Sequence, residues 1–130
     1  MKAKKKHDMD QRYKVVITRA VADKLRGGGL GPFALLLGKR NVVSHVRPLA
    51  CSTSREQEVV DPSSLVKALA EAERADMELV AIFHEHLGPP APSPIDAKYM
   101  KYWRVPWVIR GSGGALEAYL GWGEVVIEVC

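Results

Sequence analysis

Cysteine is scarce in this chain, and long apolar runs are absent from it. Cys51 and Cys130 are the two cysteines among 130 residues, and their spacing excludes a C-x-x-C redox motif and a four-cysteine metal site. We therefore expect both to be free thiols. No apolar run approaches the roughly 20 residues that span a bilayer, and no hydrophobic segment follows the N-terminal lysines as in a secretory signal. These absences predict a cytoplasmic protein with no membrane partner.

A strong charge of one sign is also lacking. The formal net charge is +4, and we interpret the lysine-rich residues 1–12 as a basic flexible tail. Residues 13–130 are then one domain, long enough to bury a sizeable core. Outside the tail there is no stripe of basic and aromatic residues, so no nucleic-acid partner is expected.

The order of the predicted elements indicates a mixed α/β domain. Helices are predicted after two capping residues, Thr18 and Asp61, and in the segment that Ser93 and Asp96 open. Ser52 to Glu58 is interpreted as a polar connection. Helices on a mixed β-sheet, an α/β (α+β) fold, are therefore expected. Apolar runs predict the strands at residues 13–17, 32–37, 42–51, 79–83, 105–110, 115–120 and 125–130.

The most informative stretch is IFHEHLGPPAPSPIDAKY, which has the pattern H-x-H-x6-S-x2-D. Side chains alternate along a strand, so His84 and His86 face the same way and Glu85 faces the opposite way. The next residues, 87–94, contain four prolines and a glycine and lead to Asp96. Two imidazoles and one carboxylate with an open fourth position are typical of catalytic zinc. The stretch therefore predicts Zn²⁺ on His84, His86 and Asp96, although the same ligands also suit iron or nickel.

Each part of this motif also has a purely structural interpretation. A single H-x-H is a weak indication of metal, since a strand-end histidine is most often a polar residue at a rim. Asp96 alone would be a first-turn carboxylate that the helix dipole favours, and Ser93 alone would be an N-cap. The conjunction of the two histidines, the proline-rich loop and S-x-x-D is what favours the metal site.

These residues resemble the motif of the JAMM/MPN (JAB-type) zinc metallopeptidase family, which is an early glutamate, then H-[ST]-H-P, a loop and S-x-x-D. The resemblance covers nearly the whole chain. It implies a JAMM/MPN-like fold with a cytidine-deaminase-like architecture, zinc on His84, His86 and Asp96, and Ser93 as a donor to the oxyanion. It also implies hydrolysis of (iso)peptide bonds to a ubiquitin-like modifier, with that protein or its conjugates as partners. Because domains of this family often pair, a homodimer is expected too.

The chain departs from the family pattern at the catalytic base. Aligning FALLLG (33–38) with the family's E-x-x-[AG]-L-L-x-G strand places Gly31 where the glutamate belongs. In addition, Glu85 stands for the usual serine or threonine, Leu87 replaces proline, and the loop to Ser93 is one residue shorter. Three carboxylates remain candidates for the base: Glu85, which strand alternation turns away from the metal, Glu56 and Glu58.

Two functions of different classes follow. The first is a zinc-dependent metallo-isopeptidase, which retention of all three ligands favours. The alternative is a catalytically impaired MPN-type scaffold or modifier-binding domain that keeps the metal site, which Gly31 favours. A zinc deaminase is less compatible with the chain, because the P-C-x-x-C ligands and the H-x-E glutamate of that class are missing.

Overall fold

The computed structural model describes residues 14–54, 57–121 and 123–130, and these form nine strands and three helices. Tyr13 and the basic tail lie outside the described residues, as does Glu56. The helices are α1 (Arg19–Gly27), α2 (Pro62–Arg74) and α3 (Pro94–Met100). The strands are β1 (Lys14–Ile17), β2 (Phe33–Lys39), β3 (Val42–Pro48), β4 (Cys51–Ser54), β5 (Gln57–Val60), β6 (Glu78–Glu85), β7 (Trp107–Arg110), β8 (Leu116–Leu120) and β9 (Gly123–Val129).

Seven of the strands form a closed barrel in the order β1-β3-β2-β6-β7-β8-β9. The sheet is mixed, as predicted: β1–β3 and β6–β7 are parallel, and β2 is antiparallel to both β3 and β6. Parallel pairing of β1 with β9 closes the barrel, with Lys14 opposite Val126 and Ile17 opposite Val129. The strand pattern in the sequence did not indicate this closure.

Two apolar cores lie on opposite faces of the sheet. On one face, Val21 and Leu25 of α1 pack with Phe83 of β6. On the other face, α2 and α3 cover a second core that contains Ile82 and Trp107. Burying a side chain of this size contributes about 1.5–3 kcal/mol. Because residues alternate along β6, His84 follows Ile82 onto the α2–α3 face.

The caps expected from the sequence are confirmed. Thr18 Oγ1 accepts the Val21 N–H at 3.3 Å at the start of α1, and Asp61 Oδ1 accepts the Ser63 N–H at 3.1 Å at the start of α2. Both cysteines are free thiols, as predicted. None of the helices within the described ranges combines the length and apolar character that crossing a membrane requires.

Two predictions between β2 and α2 were wrong. Residues 42–51 do not form one strand, because Pro48, where β3 ends, has no N–H to donate to a ladder and the Leu49 N–H turns to the Phe33 carbonyl at 3.0 Å. Ser52 to Glu58 is not a polar connection, because β4 and β5 form a separate antiparallel hairpin with Cys51 opposite Val60. This β4–β5 hairpin matters for the site below.

Candidate metal centre

The two histidines and the aspartate of the motif converge at the end of β6. One ligand atom from each of His84, His86 and Asp96 lies within 4.8 Å of the other two. His84 Nε2 is 3.2 Å from Asp96 Oδ1, and His86 Nε2 is 2.5 Å from Asp96 Oδ2. All three side chains are largely buried, with 16% or less exposed. The structure therefore brings together the three residues that the sequence predicted as ligands.

Ser93 and Asp96 also form a capping box at the start of α3. Ser93 Oγ accepts the Asp96 N–H at 3.2 Å, and the Ser93 N–H donates to Asp96 Oδ2 at 2.9 Å. Burial alone raises the pKa of Asp96, but hydrogen bonds from His84 and the Ser93 N–H and the charges of both imidazoles lower it to about 2. Asp96 is therefore ionised at neutral pH, the form in which a carboxylate can bind a metal ion.

A backbone carbonyl orients the first histidine. His84 Nδ1 is 2.9 Å from the Pro32 carbonyl oxygen, which accepts hydrogen bonds only, so Nδ1 carries a proton and Nε2, which faces Asp96, is the nitrogen that can bind metal. Such outer partners are usual for metal-binding histidines. The Phe33 ring stacks on the His84 ring, with centroids 4.1 Å apart. The same Pro32 oxygen accepts the Glu85 N–H at 3.0 Å.

The loop that carries the chain from His86 to Ser93, residues 87–92, is called the proline loop below. Its backbone is fixed to the β7–β8 turn and to β8: the Ser112 N–H of the turn donates to Gly88 O at 2.9 Å, and Tyr119 Oη of β8 donates to Pro90 O at 3.1 Å. Gly111 lies directly beneath it, and a Cβ there would come within 2.8 Å of Pro90 Cδ. The loop therefore packs where only a glycine leaves room.

A second loop, residues 28–32, precedes β2 and is called the glycine loop. Arg110 Nε donates to the Arg26 carbonyl at 3.1 Å, just before this loop, and its Nη1 donates to Glu85 Oε1 at 3.0 Å. A Cβ on Gly28, whose φ is 75°, would lie 3.4 Å from the guanidinium. Arg110 thus joins β6 and β7 to the C-terminal end of α1, where the glycine loop begins. Sequence reasoning missed Arg110, because only the register of β6 on β7 reveals its partner.

The three candidate bases occupy different places. Glu85 points to Arg110 on the face opposite the histidines, so the structure does not bring it to the metal ligands. Glu58, on the β4–β5 hairpin, lines a cavity together with Phe33 and Ile82, on the histidine side of the sheet. Glu56 lies outside the described residues. Gly31 has a φ of 88°, and a Cβ added there would meet no atom within 4 Å.

The donor set fits zinc. It comprises two imidazole Nε2 atoms and one ionised carboxylate, and the Nδ1 proton of His84 is already engaged. Three convergent protein donors leave a coordination position for water or substrate, which is what separates a catalytic zinc site from a structural one.

Comparison with known sequences agrees with this geometry. The family of prokaryotic homologs of the JAB domain matches residues 14–120. The chain is 36% identical to a desampylase from Pyrococcus furiosus over 104 residues, which cover 78% of this chain and 74% of the relative. It is 45% identical over 72 residues to a probable TtuB-protein conjugate cleaving protease from Thermus thermophilus, a match that covers 55% of this chain and 48% of the relative.

Solved structures show the same fold. A JAB1/MPN domain protein from Archaeoglobus fulgidus superposes with a TM-score of 0.64 at 16% identity, covering 90% of this chain and 98% of that one. A structure reported as a JAMM metalloprotease-like zinc site in the proteasome and signalosome gives 0.57 at 15% identity, with the same coverage. The predicted mixed α+β fold and JAMM/MPN resemblance are confirmed. The chain belongs to the family of prokaryotic homologs of the JAB domain.

Proposed function

We propose that this chain is a zinc-dependent metallo-isopeptidase of JAMM type, which hydrolyses the bond between a ubiquitin-like modifier and another protein. The observation that carries the proposal is the convergence of His84, His86 and Asp96 at the end of β6 in a JAB-family chain. The printed names of the two sequence relatives, a desampylase and a protease for TtuB-protein conjugates, support a modifier conjugate as the substrate.

The chain's own residues have distinct roles in this reaction. A bound zinc ion would supply Lewis acidity to polarise the scissile carbonyl and acidify water. Asp96 and the two histidines would hold that ion. Ser93 Oγ uses a lone pair for the Asp96 N–H, so its hydroxyl proton is available to donate to the oxyanion. A single donor of this kind contributes roughly 10²–10³-fold in other enzymes.

The β4–β5 hairpin offers a place for the modifier tail. Within the described ranges, β4 and β5 pair with each other and with no strand of the barrel, so the hairpin presents strand edges beside the cavity next to His84. An extended peptide binds such an edge as an added strand. The C-terminal tail of a ubiquitin-like modifier would then lie along the hairpin, with its last residue at the metal ligands.

Glu58 is the carboxylate that we assign as the general base. It would take a proton from the attacking water and deliver it to the leaving amine, a contribution of typically 10²–10⁴-fold. Its position on the hairpin, in the wall of the cavity that Phe33 also lines, supports this role. Gly31 supplies no side chain, and Arg110 holds Glu85 on the other face.

The second candidate function is a modifier-binding scaffold that keeps its metal. Gly31, in place of the family glutamate, is the observation that favours it. The two functions share the metal site and the substrate partner. They differ only in whether a carboxylate acts as the general base for hydrolysis.

The test is elemental analysis of zinc together with a cleavage assay on a modifier–protein conjugate, both on the same preparation. We expect about one zinc per chain and cleavage. His86→Ala should lose both, Glu58→Gln should keep zinc but lose cleavage, and His45→Ala, an exposed histidine on β3, should keep both. Zinc without cleavage in the wild type would establish the scaffold, and full activity in Glu58→Gln would refute Glu58 as the base.

A homodimer, a cytoplasmic location and the absence of nucleic-acid and membrane partners remain predictions. Light scattering of the full chain checks the first: twice the chain mass is expected, and a monomer at tens of micromolar would contradict it.

A further inference from the structure

The position of Asp96 depends on a helix that is too short to be stable by itself. His84 and His86 lie on β6 and at its end, and β6 pairs with both β2 and β7, whereas Asp96 lies on α3. With seven residues, α3 is shorter than the roughly 12–15 residues at which an isolated helix becomes marginally stable. The place of the carboxylate is therefore set by the buried Met100 of α3 and by whatever fixes the proline loop.

The proline loop has few groups of its own with which to hold its shape. Three of its six residues are prolines, which have no N–H to donate, so its carbonyl groups are the main points at which the rest of the protein can hold it. The Ser112 N–H holds Gly88 O at 2.9 Å, and Tyr119 Oη holds Pro90 O at 3.1 Å. Among the described residues, Tyr119 is the one whose side chain donates to the backbone of this loop.

The sheet fixes the ring of Tyr119. This residue of β8 lies directly opposite Trp107 of β7 and packs against the core that α2 and α3 cover. Burial, together with the charges of Glu117 and Glu124, raises the pKa of the Tyr119 hydroxyl, so it stays protonated and can donate at neutral pH. The donor is therefore held by the barrel and not by the loop that it contacts.

The carbonyl that Tyr119 holds is close to the residues that the loop delivers. Residues 90–94 contain three prolines, whose φ is restricted to about −65°, so this segment is stiff. Within it, the Ser93 N–H donates to Asp96 Oδ2 at 2.9 Å, and His86 Nε2 lies 2.5 Å from the same oxygen. A displacement of the Pro90 carbonyl is therefore transmitted to the Asp96 carboxylate.

We propose that Tyr119 is a positioning residue of the metal centre. Its hydroxyl holds the Pro90 carbonyl and thereby sets where Ser93 and Asp96 stand relative to the two histidines. The inference rests on the proposed function, because it takes the site to hold zinc and Ser93 to act beside that ion. Loss of this one hydroxyl should weaken metal binding and slow hydrolysis, although Tyr119 is not itself a ligand.

Tyr119→Phe removes the donor and keeps the ring. We expect the zinc Kd of the full chain, measured by competition with a chromophoric chelator, to rise about 10-fold, as for other outer partners of metal ligands. The visible spectrum of the Co²⁺-loaded chain, which reports ligand geometry, should change as well. In the zinc-saturated enzyme kcat should fall by about 10-fold and KM should stay within about twofold, because Ser93 acts in the transition state.

Thr18→Ala is the matched control. It also removes one side-chain hydrogen bond, which Thr18 Oγ1 accepts from the Val21 N–H at 3.3 Å, but at the start of α1 on the other face of the sheet. It should keep the wild-type zinc Kd, Co²⁺ spectrum and kcat. A wild-type zinc Kd and Co²⁺ spectrum in Tyr119→Phe would overturn the proposal.

A third variant separates the hydrogen bond from the packing of the ring. Tyr119→4-aminophenylalanine replaces the hydroxyl with an amino group, which also donates, so it should restore the zinc Kd and the Co²⁺ spectrum. Values that stay at those of Tyr119→Phe would overturn the proposal, because a donor in the same place would then have no effect.

Amide hydrogen exchange tests the proposal on the metal-free chain. The Ser112 and Ser93 N–H groups should exchange at least about 10-fold faster in Tyr119→Phe than in the wild type or Thr18→Ala, because their acceptors, Gly88 O and Asp96 Oδ2, become mobile. Unchanged exchange at both amides would overturn the positioning role.

Failures of the positioning role and of the proposed function are distinguishable. A wild-type chain that binds zinc and cleaves no conjugate would refute the isopeptidase, and a weaker zinc Kd in Tyr119→Phe would still support the positioning role. An active wild type whose activity and zinc Kd are unchanged in Tyr119→Phe would refute the positioning role while the isopeptidase stands.

Discussion

The proline loop and the glycine loop approach the candidate metal ligands from two sides and are built on opposite principles. The proline loop has restricted backbone dihedrals and delivers side chains: it leads to Ser93 and Asp96. The glycine loop has three glycines at positive φ, at 28, 29 and 31, and delivers a backbone group, the Pro32 carbonyl.

The difference shows two ways to preorganise a site. Prolines limit the conformations of their own loop before it folds. Glycines do the reverse, and the glycine loop is anchored at its start, where Arg110 of β7 donates to the Arg26 carbonyl at the end of α1 and lies beside Gly28. The glycine loop supplies only a backbone group to the site. As a result, the family's glutamate position, which is Gly31 in this chain, has no side chain.

Removing the carboxylate that the proline loop delivers should have the largest effect. Asp96→Ala leaves two imidazoles as donors, so zinc should fall from about one per chain to near zero after dialysis against a weak chelator. Elemental analysis measures this. Asp76→Ala, which removes an exposed carboxylate paired with Lys39, is the control and should keep its zinc. Stoichiometric zinc in Asp96→Ala would disprove the ligand assignment.

Gly111→Ala tests the packing of the proline loop. Its Cβ would come within 2.8 Å of Pro90 Cδ and 3.1 Å of Gly88 O, so the loop must move. We expect the free energy of unfolding to fall by about 2–3 kcal/mol, measured by urea denaturation, and zinc affinity to fall with it. A Cβ at Gly113 would meet no atom within 4 Å, so Gly113→Ala should change neither. Equal stability of the two variants would contradict the tight packing described here.

Arg110→Met tests the support of the glycine loop. The Arg110 and Glu85 side chains are 17% and 27% exposed, so losing their pair should cost about 1–2 kcal/mol of unfolding free energy. The His84 Nδ1–H signal in NMR should broaden as the Pro32 carbonyl becomes mobile.

Lys14→Met is the matched control for Arg110→Met. It breaks an ion pair with Glu128 whose side chains are 36% and 51% exposed, and it should cost at most about 1 kcal/mol. A sharp, unshifted His84 signal in Arg110→Met would mean that the glycine loop holds itself in place.

Two glycine replacements should have the smallest effects, and they sharpen the comparison of the two loops. Gly31→Ala places a side chain at a φ of 88°, so the free energy of unfolding should fall by about 1 kcal/mol. Gly27, the last residue of α1, is not at positive φ, and Gly27→Ala should raise stability by about 0.5 kcal/mol. Thermal unfolding monitored by circular dichroism measures both, and changes of the same sign would contradict this account.

The sequence was sufficient to predict the features that depend on local backbone geometry. Strand alternation placed His84 and His86 on one face and Glu85 on the other, and S-x-x-D placed Ser93 and Asp96 in one helical turn. These relations span a few residues and depend on backbone geometry that every strand or helix shares.

The features that escaped prediction depend on pairing between distant segments. Glu85 meets Arg110 because β6 and β7 are parallel in one register. The β4–β5 hairpin has polar and short strands, so no apolar alternation marks it, and its position at the cavity that residues near the end of α3 also line depends on the tertiary fold. Trp107 could be predicted as buried, but the lack of an acceptor for its Nε1–H among the described residues could not, since that requires every neighbour to be known.

Closure of the barrel has a consequence for how the chain folds. The pairing of β1 with β9 joins residues as far apart as Lys14 and Glu128, which are separated by 114 positions and whose side chains form an ion pair. Contacts between such distant residues form slowly, because a long loop must close first. Until β9 has been synthesised, β1 and β8 each present an unpaired strand edge, the kind of surface at which chains aggregate. During synthesis, the exposed edge of β1 is therefore covered only when β9 pairs with it.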